Sequence, residues 1–271
     1  KGIRNYSPIK AYQYALNTCR KFDNDDRGYS DDMSKTLEYA YDDWCLSTLA
    51  TALGDTANAS RYLLKSKDYR NIFDTTVKWF RPRNADGSWK PWPKEGRLAQ
   101  GYGCVESNPY QQGWFVPQDI PGMTALMGGR DKVVADLDSF FTRTPQNMVW
   151  NDYYNHSNEP VHHVAFLFNR LGAPWLTQYW TRQICERAYH NAVEGLVGNE
   201  DVGQMSAWYV LAASGLHPVC PGDNRYEITS PVFDTVTFRL DPAYAKGKTF
   251  TIIARNNSPQ NVYIQGATLN G

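Results

Sequence analysis

The chain has 271 residues, enough for one large domain or two small ones with a substantial buried core. Lys plus Arg equals Asp plus Glu, 28 against 28, and this zero formal charge argues against a nucleic-acid groove, which needs clustered positive charge to displace counterions. No apolar run approaches the length of a membrane span, and the opening Lys1-Gly2-Ile3-Arg4 lacks the apolar stretch of a signal peptide.

In chain order, the first predicted helix is Pro8–Phe22, with Pro8 at a first helical position and Ile9, Tyr12, Leu16 and Cys19 on one face. The clearest is Ser34–Leu53, where Leu37, Tyr41, Trp44, Thr48 and Ala52 form a stripe, Ser34 is the expected N-cap and Gly54 the terminator. A second helix, Thr56–Ile72, follows after so short a turn that the pair must run antiparallel. Residues 79–103 read as a long loop with a hairpin signal at Asp86-Gly87, and long loops in compact domains tend to be functional. Further helices are expected over Pro117–Met127, Lys132–Phe141, Glu159–Leu171, Pro174–His190 and Gly203–Ser214. After Pro218 the grammar changes: 226–228, Phe233–Leu240, Thr249–Ala254 and Asn261–Ile264 alternate or are β-branched between Gly, Pro and Asn. The expected organisation is therefore a mainly α chain of side-by-side αα-hairpins over 1–220, with a small β region over 221–271.

Cys19, Cys45, Cys104, Cys185 and Cys220 include no CxxC, so they do not read as a metal cluster. Cys45, inside the helical stripe, reads as a core thiol, and the odd count leaves at least one thiol free or paired with another chain. The 14% aromatic share, with 9 Trp and 18 Tyr, fits both sugar-stacking surfaces and a large helical core.

Three acidic spots each sit in a loop just before a predicted helix: Glu106, then Asn158-Glu159, then Asn199-Glu200-Asp201. Loops gathered at one end of a helical scaffold are a common place for an active site. Glycoside hydrolysis needs two carboxyl groups flanking a sugar, one protonated and one ionised. Cys104, Val105, Tyr110 and Trp114 are apolar or aromatic sequence neighbours of the kind that keep a carboxyl such as Glu106 protonated, whereas Asp201 sits among polar residues and glycines. Glu, Asp and carbonyl oxygens also suit a hard cation such as Ca²⁺. Structural alternatives stand beside each reading. Asp201 fits an N-cap, and Glu159 before Pro160 fits complementation of a helix dipole. His162-His163 is a poor zinc pair, since neighbours on a helix diverge by about 100°. Asp43, in Asp42-Asp43, is equally a calcium or sugar contact and an exposed helix face.

The segments SKTLEYAYDDW (34–44), VESNPYQQGWFVPQD (105–119), SNEPVHHVAFLFN (157–169), GNEDVGQMSAWYV (198–210), HPVCPGDNRYEITSPVFD (217–234) and NNSPQNVYIQGATLNG (256–271) resemble glycoside hydrolase family 92. That family consists of calcium-dependent, inverting exo-α-mannosidases, many of them secreted or surface enzymes. The resemblance implies part of an (α/α)6 toroid, a mannose-containing glycan as substrate, and a secreted, periplasmic or cell-surface location. It implies Glu106 as general acid and Asp201 as general base, with Asn199 where many members have a second Asp that helps hold the attacking water. It implies calcium held by Asn158 and Glu159 near Asp201, and sugar contacts from Trp114 and His162; Asp43 is kept beside them as a candidate sugar contact on the residue reading alone. Gln118 stands where many members have His. About eight helices are counted here, against the twelve of a complete (α/α)6 barrel, and members carry an N-terminal β-sandwich. The expectation is a catalytic portion whose activity is weak without that sandwich. Two other readings remain: an (α/α)6 glycosidase of other specificity, insensitive to EDTA, and a carbohydrate-binding scaffold that binds sugar without hydrolysis.

Overall fold

The computed structural model describes residues 5–19 and 27–271. Helix α1, Pro8–Thr18, starts as its proline suggests, with Ser7 accepting the Lys10 N–H. Tyr12 is buried, but Ile9, expected on the same face, is 62% exposed. Residues 20–22, the rest of that predicted helix, lie outside the described residues.

Helix α2 covers Met33–Leu53, and its N-cap is Asp32 rather than Ser34. Asp32 Oδ1 accepts the Lys35 N–H at 3.2 Å and the Ser34 hydroxyl at 2.6 Å. Gly54, at φ +81°, ends the helix in the left-handed conformation that glycine adopts without a Cβ penalty. Helix α3, Thr56–Lys65, is capped by Asp55, which also accepts the Tyr12 hydroxyl at 2.9 Å and so ties α1 to the pair. Tyr12, Leu46, Ala50 and Tyr62 form their shared core. The predicted continuation to Ile72 breaks at Ser66. A 3-10 turn, Asp68–Ile72, feeds strand β1, Phe73–Asp74, which pairs antiparallel with β2, Trp79–Phe80. Side-chain packing overrides helix propensity here: Tyr69, Phe73, Trp79 and Phe80 are all buried and meet edge to face. The Asp86-Gly87 turn forms as expected, with Gly87 at φ +87° and Arg83 bridged to Trp89. Helices α4, Pro109–Gln112, α5, Ile120–Leu126, and α6, Arg130–Thr142, follow.

The described residues fall into two compact units. The first holds 5–19, 27–137 and 152–154; the second holds 138–151 and 155–271. In the second unit the expected helix over 159–171 is two 3-10 turns, Glu159–Val161 and Val164–Phe166, followed by α7, Leu167–Arg170. The reason is competition for carbonyls: Trp208 Nε1 donates to His162 O, and the Thr177 hydroxyl donates to Ala165 O. Helix α8, Pro174–Arg187, packs Trp180 flat on Phe141, ring centroids 5.2 Å apart, and α9 is Gln204–Ser214.

Strand β3, Leu216–His217, pairs with β4, Glu227–Ile228, and β5, Thr235–Arg239, pairs with β6, Thr249–Ile253. The predicted strand over Asn261–Ile264 is absent: the Asn261 N–H turns back to Ser258 Oγ at 3.0 Å, and the Ile264 N–H goes to a side chain of α8. Gln178 Oε1 accepts the Ile264 N–H at 2.9 Å, while Arg182 binds Pro231 O, Asn257 Oδ1 and Ser258 O. The chain is thus mainly helical, with paired helices and a small open β region, as expected.

Candidate active site

Glu106 lies in the first unit, on a loop held at both ends. Gly103 O accepts the Met33 and Ser34 N–H groups, at 2.7 and 3.1 Å, from the first turn of α2, whose early amides have no partner within the helix. A side chain at Gly103 is barred, since its Cβ would lie 2.7 Å from Pro82 in a backbone at φ +65°. On the far side, Asn108 and Gln111 form a reciprocal capping box on α4. Asn108 Nδ2 donates to Asp152 O and Gln111 Nε2 to Tyr153 O, each at 2.9 Å. The Ser107 hydroxyl donates to Gln112 Oε1, and Gln112 Nε2 donates to Glu38, whose carboxyl is pushed up by burial. Between these anchors Glu106 adopts φ +52°, a left-handed conformation costing a non-glycine residue about 1–2 kcal/mol.

Its sequence neighbours do not enclose it. Cys104, Tyr110 and Trp114 point into the core, and Glu106 is exposed. Trp114 is fully buried, 5.1 Å from Trp79 in a T-shaped pair. Asp43, an exposed helix face in one sequence reading, is fully buried and accepts the Cys19 thiol at 3.3 Å. Within this chain neither residue presents a face to solvent.

The second unit brings the other two acidic loops together. Gly198, at φ +75°, runs so close to Ser157 that an added Cβ would lie 2.6 Å from the Ser157 Cβ and 2.8 Å from its Cα. Gln204, the first residue of α9, donates to His162 Nδ1 at 3.3 Å. Asn158, Glu159, Asn199 and Asp201 therefore belong to one local cluster of loops. Asn158 is buried, and Asn199 and Asp201 are exposed. Asp201 is not the cap of α9. Glu200 does that work, accepting the Ser206 N–H at 2.9 Å and its hydroxyl at 2.6 Å, bonds that hold the Glu200 carboxyl below the ordinary range. Asp201 and Val202 sit at φ +37° and +56°. No hydrogen bond or ion pair reaches the Asp201 carboxylate among the described residues.

Loop 155–159 contains polar atoms that lack a partner. Glu159 Oε1 and both side-chain amide atoms of Asn155 are buried with no hydrogen-bond partner among the described residues. Such atoms are costly to leave unsatisfied. Glu159 Oε1 and Asn155 Oδ1 are hard oxygen donors of the type that calcium takes. Among the described residues no three His, Cys, Asp or Glu side chains converge on a metal position. A hard cation here would draw on amide and carbonyl oxygens as well.

Behind the cluster, His162 is held in one tautomer. Its Nε2–H donates to His156 O at 3.0 Å, which leaves Nδ1 to accept from Gln204. The Tyr189 hydroxyl gives its proton to Met205 O at 2.9 Å, so it accepts from His156 Nε2 at 2.7 Å. Burial pushes His162 down to about 4 and His156 well below its ordinary value, so both rings are neutral near neutral pH. Both ring nitrogens of His162 are engaged within the protein. Sequence reasoning missed Gln204, Tyr189 and Asn155. The position of Gln204 at the start of α9 was a usable signal, whereas Tyr189 and Asn155 become visible only once distant segments meet.

The chain matches the glycosyl hydrolase family 92 catalytic domain over residues 1–271. It is 31% identical over 260 residues to an uncharacterized secreted glycosidase of Arthroderma benhamiae, covering 88% of this chain and 32% of that protein. A family GH92 α-mannosidase of Bacteroides thetaiotaomicron, solved in complex with mannoimidazole, superposes with a TM-score of 0.86 at 32% identity, over 97% of this chain and 37% of that one. A family GH92 inverting mannosidase of the same species gives a TM-score of 0.82 at 31% identity, over 95% and 39%. The chain thus spans about a third of the length of the curated relative it matches. With a family match along its whole length, and a helical architecture shared with relatives about a third identical, the chain belongs to glycosyl hydrolase family 92.

Proposed function

We propose that the protein carrying this chain is an inverting exo-α-mannosidase acting on mannose-containing glycans, with Glu106 as general acid and Asp201 as general base. The observation that carries this reading is shared by the two residues: each is an exposed carboxylate held in left-handed backbone conformation. Each also sits beside an anchored helix start, α4 for Glu106 and α9 for Asp201. Backbone strain of this kind persists where surrounding structure over-determines it, and it gathers at active sites. Support for the substrate comes from the solved relatives, which are mannosidases by name.

In this mechanism Glu106 donates its proton to the departing glycosidic oxygen. Asp201 accepts a proton from a water attacking the opposite face of the sugar, and Asn199 helps to hold that water. An inverting pair needs roughly 6.5–9.5 Å between carboxyl groups to admit the water. Asn158 and Glu159, with Asp201, would hold calcium, and the unpartnered oxygens Glu159 Oε1 and Asn155 Oδ1 fit that donor set. Held there, calcium would supply a divalent charge to the sugar's O2 and O3 and would favour a flattened ring. Neutral His162, fixed by His156 and Gln204, keeps the Glu159 loop and the start of α9 in register. The relative described as secreted supports a location outside the cytoplasm, and family membership favours a longer protein with an N-terminal β-sandwich.

The test is digestion of linkage-defined mannobioses followed by NMR, with and without EDTA. β-Mannose is expected as the first product, with activity lost in EDTA. Glu106→Gln and Asp201→Asn should each lower kcat by about 10²–10⁴. α-Mannose as first product, or undiminished turnover in both variants, would sink the proposal.

A further inference from the structure

The first unit contains a half-open cavity of about 330 Å³ lined by Val77, Lys78, Trp79, Arg97, Lys132 and Asp136, together with Met127 and Val133. None of these is among the candidate active-site residues. At about 30 Å³ of liquid volume per water, it has room for a small ligand.

Its charge is one-sided. Three cations face one carboxylate, and that carboxylate is spent: Asp136 takes Arg97 Nη1 and Nη2 at 2.5 and 3.0 Å and the Tyr110 hydroxyl at 2.7 Å. The Arg97 guanidinium is fixed between aromatic faces, 4.4 Å from the Trp79 centroid and 4.0 Å from that of Tyr110. A guanidinium has five N–H donors, so some remain after Asp136 is served. Neither Lys78 nor Lys132 shows an ion pair or hydrogen bond on its ammonium among the described residues. Asp131, the acidic neighbour of Lys132, is paired with Arg130 instead.

Two local features place these lysines at some cost. Lys78 ends the turn between β1 and β2 at φ +55°, where turn chemistry favours Gly or Asn. Lys132 folds back over the Gly128-Gly129 turn, where a Cβ at Gly128 would lie 3.0 Å from its Cδ and 3.2 Å from its Nζ. Lys132, Val133 and Asp136 belong to the first two turns of α6, so the positive end of that helix adds to the field.

We propose that this cavity is a binding site for a tetrahedral oxyanion, a phosphate or sulfate group, free or carried on a sugar. Lys78 and Lys132 supply mobile ammonium donors, and Arg97, locked by Asp136, supplies fixed N–H groups on a Trp79 wall. Lysine serves such groups as a point charge and arginine as an oriented fork. The site is independent of the mannosidase reading, since it uses no residue of that machinery.

The experiment is titration of inorganic phosphate into the chain at low ionic strength, followed by ³¹P line width. Saturable binding is expected with Kd on the order of 1 mM, weakening as salt is added. Lys78→Gln with Lys132→Gln, both at exposed positions, should weaken it at least tenfold. Lys78→Asn should weaken phosphate binding while raising Tm, because asparagine tolerates the left-handed backbone. Sulfate should compete with phosphate, acetate should compete poorly, and methyl α-mannoside not at all. Asp201→Asn should bind phosphate as the unsubstituted chain does. Absence of saturation, unchanged affinity in the double variant, or acetate binding as tightly as phosphate would each overturn the assignment.

Discussion

At the scale of single residues, the loop 198–203 combines one glycine that is required and one valine that is strained. Gly198 passes 2.8 Å, measured from an added Cβ, from the Cα of Ser157, and its φ of +75° would itself penalise a side chain. Gly198→Ala should therefore push the Asn158-Glu159 and Asn199-Asp201 loops apart and destabilise the chain by about 2 kcal/mol or more. Val202 is the converse case. It is β-branched, fully exposed and held at φ +56°. Val202→Gly should stabilise by roughly 0.5–1 kcal/mol, the left-handed penalty less the entropy that glycine loses on folding. Urea midpoints of the two variants should move in opposite directions. A stabilising Gly198→Ala would show that the contact with Ser157 is not what joins the loops.

At the scale of elements, the start of α2 has two tasks. Asp32 caps it through the Lys35 N–H, and the Met33 and Ser34 amides reach past the cap to Gly103 O, fixing the loop that carries Glu106. Asp32→Ala should cost about 1 kcal/mol. If Glu106 is the general acid, the same change should lower kcat in proportion to loop disorder, and hydrogen exchange at Val105–Ser107 should report the loosening directly. Unaltered exchange there would separate the cap from the loop. This start also shows what was legible in the sequence. The existence of α2 and its Gly54 terminator stand out because both are local periodic or conformational signals, but its buried face runs through Leu37, Ala40, Leu46 and Ala50, while Thr48 and Ala52 of the expected stripe are exposed. The choice between Asp32 and Ser34 does not, since both are good caps two residues apart. The helix expected over 159–171 fails for a non-local reason: Trp208 and Thr177, far along the chain, claim the carbonyls of His162 and Ala165. For the site, the acidic residues were legible as types in loops. The close approach of Gly198 to Ser157, and the replacement of Asp201 by Glu200 as the cap of α9, required the folded backbone.

At the scale of the whole molecule, the buried histidines couple folding to pH. His156, His162 and His217 surround Trp208 in the second unit, with ring centroids 4.5, 6.5 and 5.9 Å from it. Burial pushes His162 down to about 4 and His217 to about 3, against an ordinary value of 6.5. In the unfolded chain these rings take up protons as pH falls below 6.5, while the folded chain refuses them until its lower values are reached. The unfolded state then binds more protons, so stability rises with pH across this window. The contribution is complete above about 6.5 and is lost progressively toward pH 4 and 3. Each histidine can contribute a slope of up to about 1.4 kcal/mol per pH unit. Unfolding free energy measured by urea between pH 7.5 and 4.5 should therefore fall below pH 6.5, before most carboxylates begin to protonate. His217 stacks flat on Phe166 at 4.1 Å and donates from Nδ1 to Pro218 O at 2.8 Å. His217→Asn keeps an amide donor but removes the titrating ring. It should lower stability at pH 7.5 through lost packing and make the slope below pH 6.5 shallower by about one proton. A slope that stays the same would show that His217 takes up its proton in the folded chain as readily as in the unfolded one.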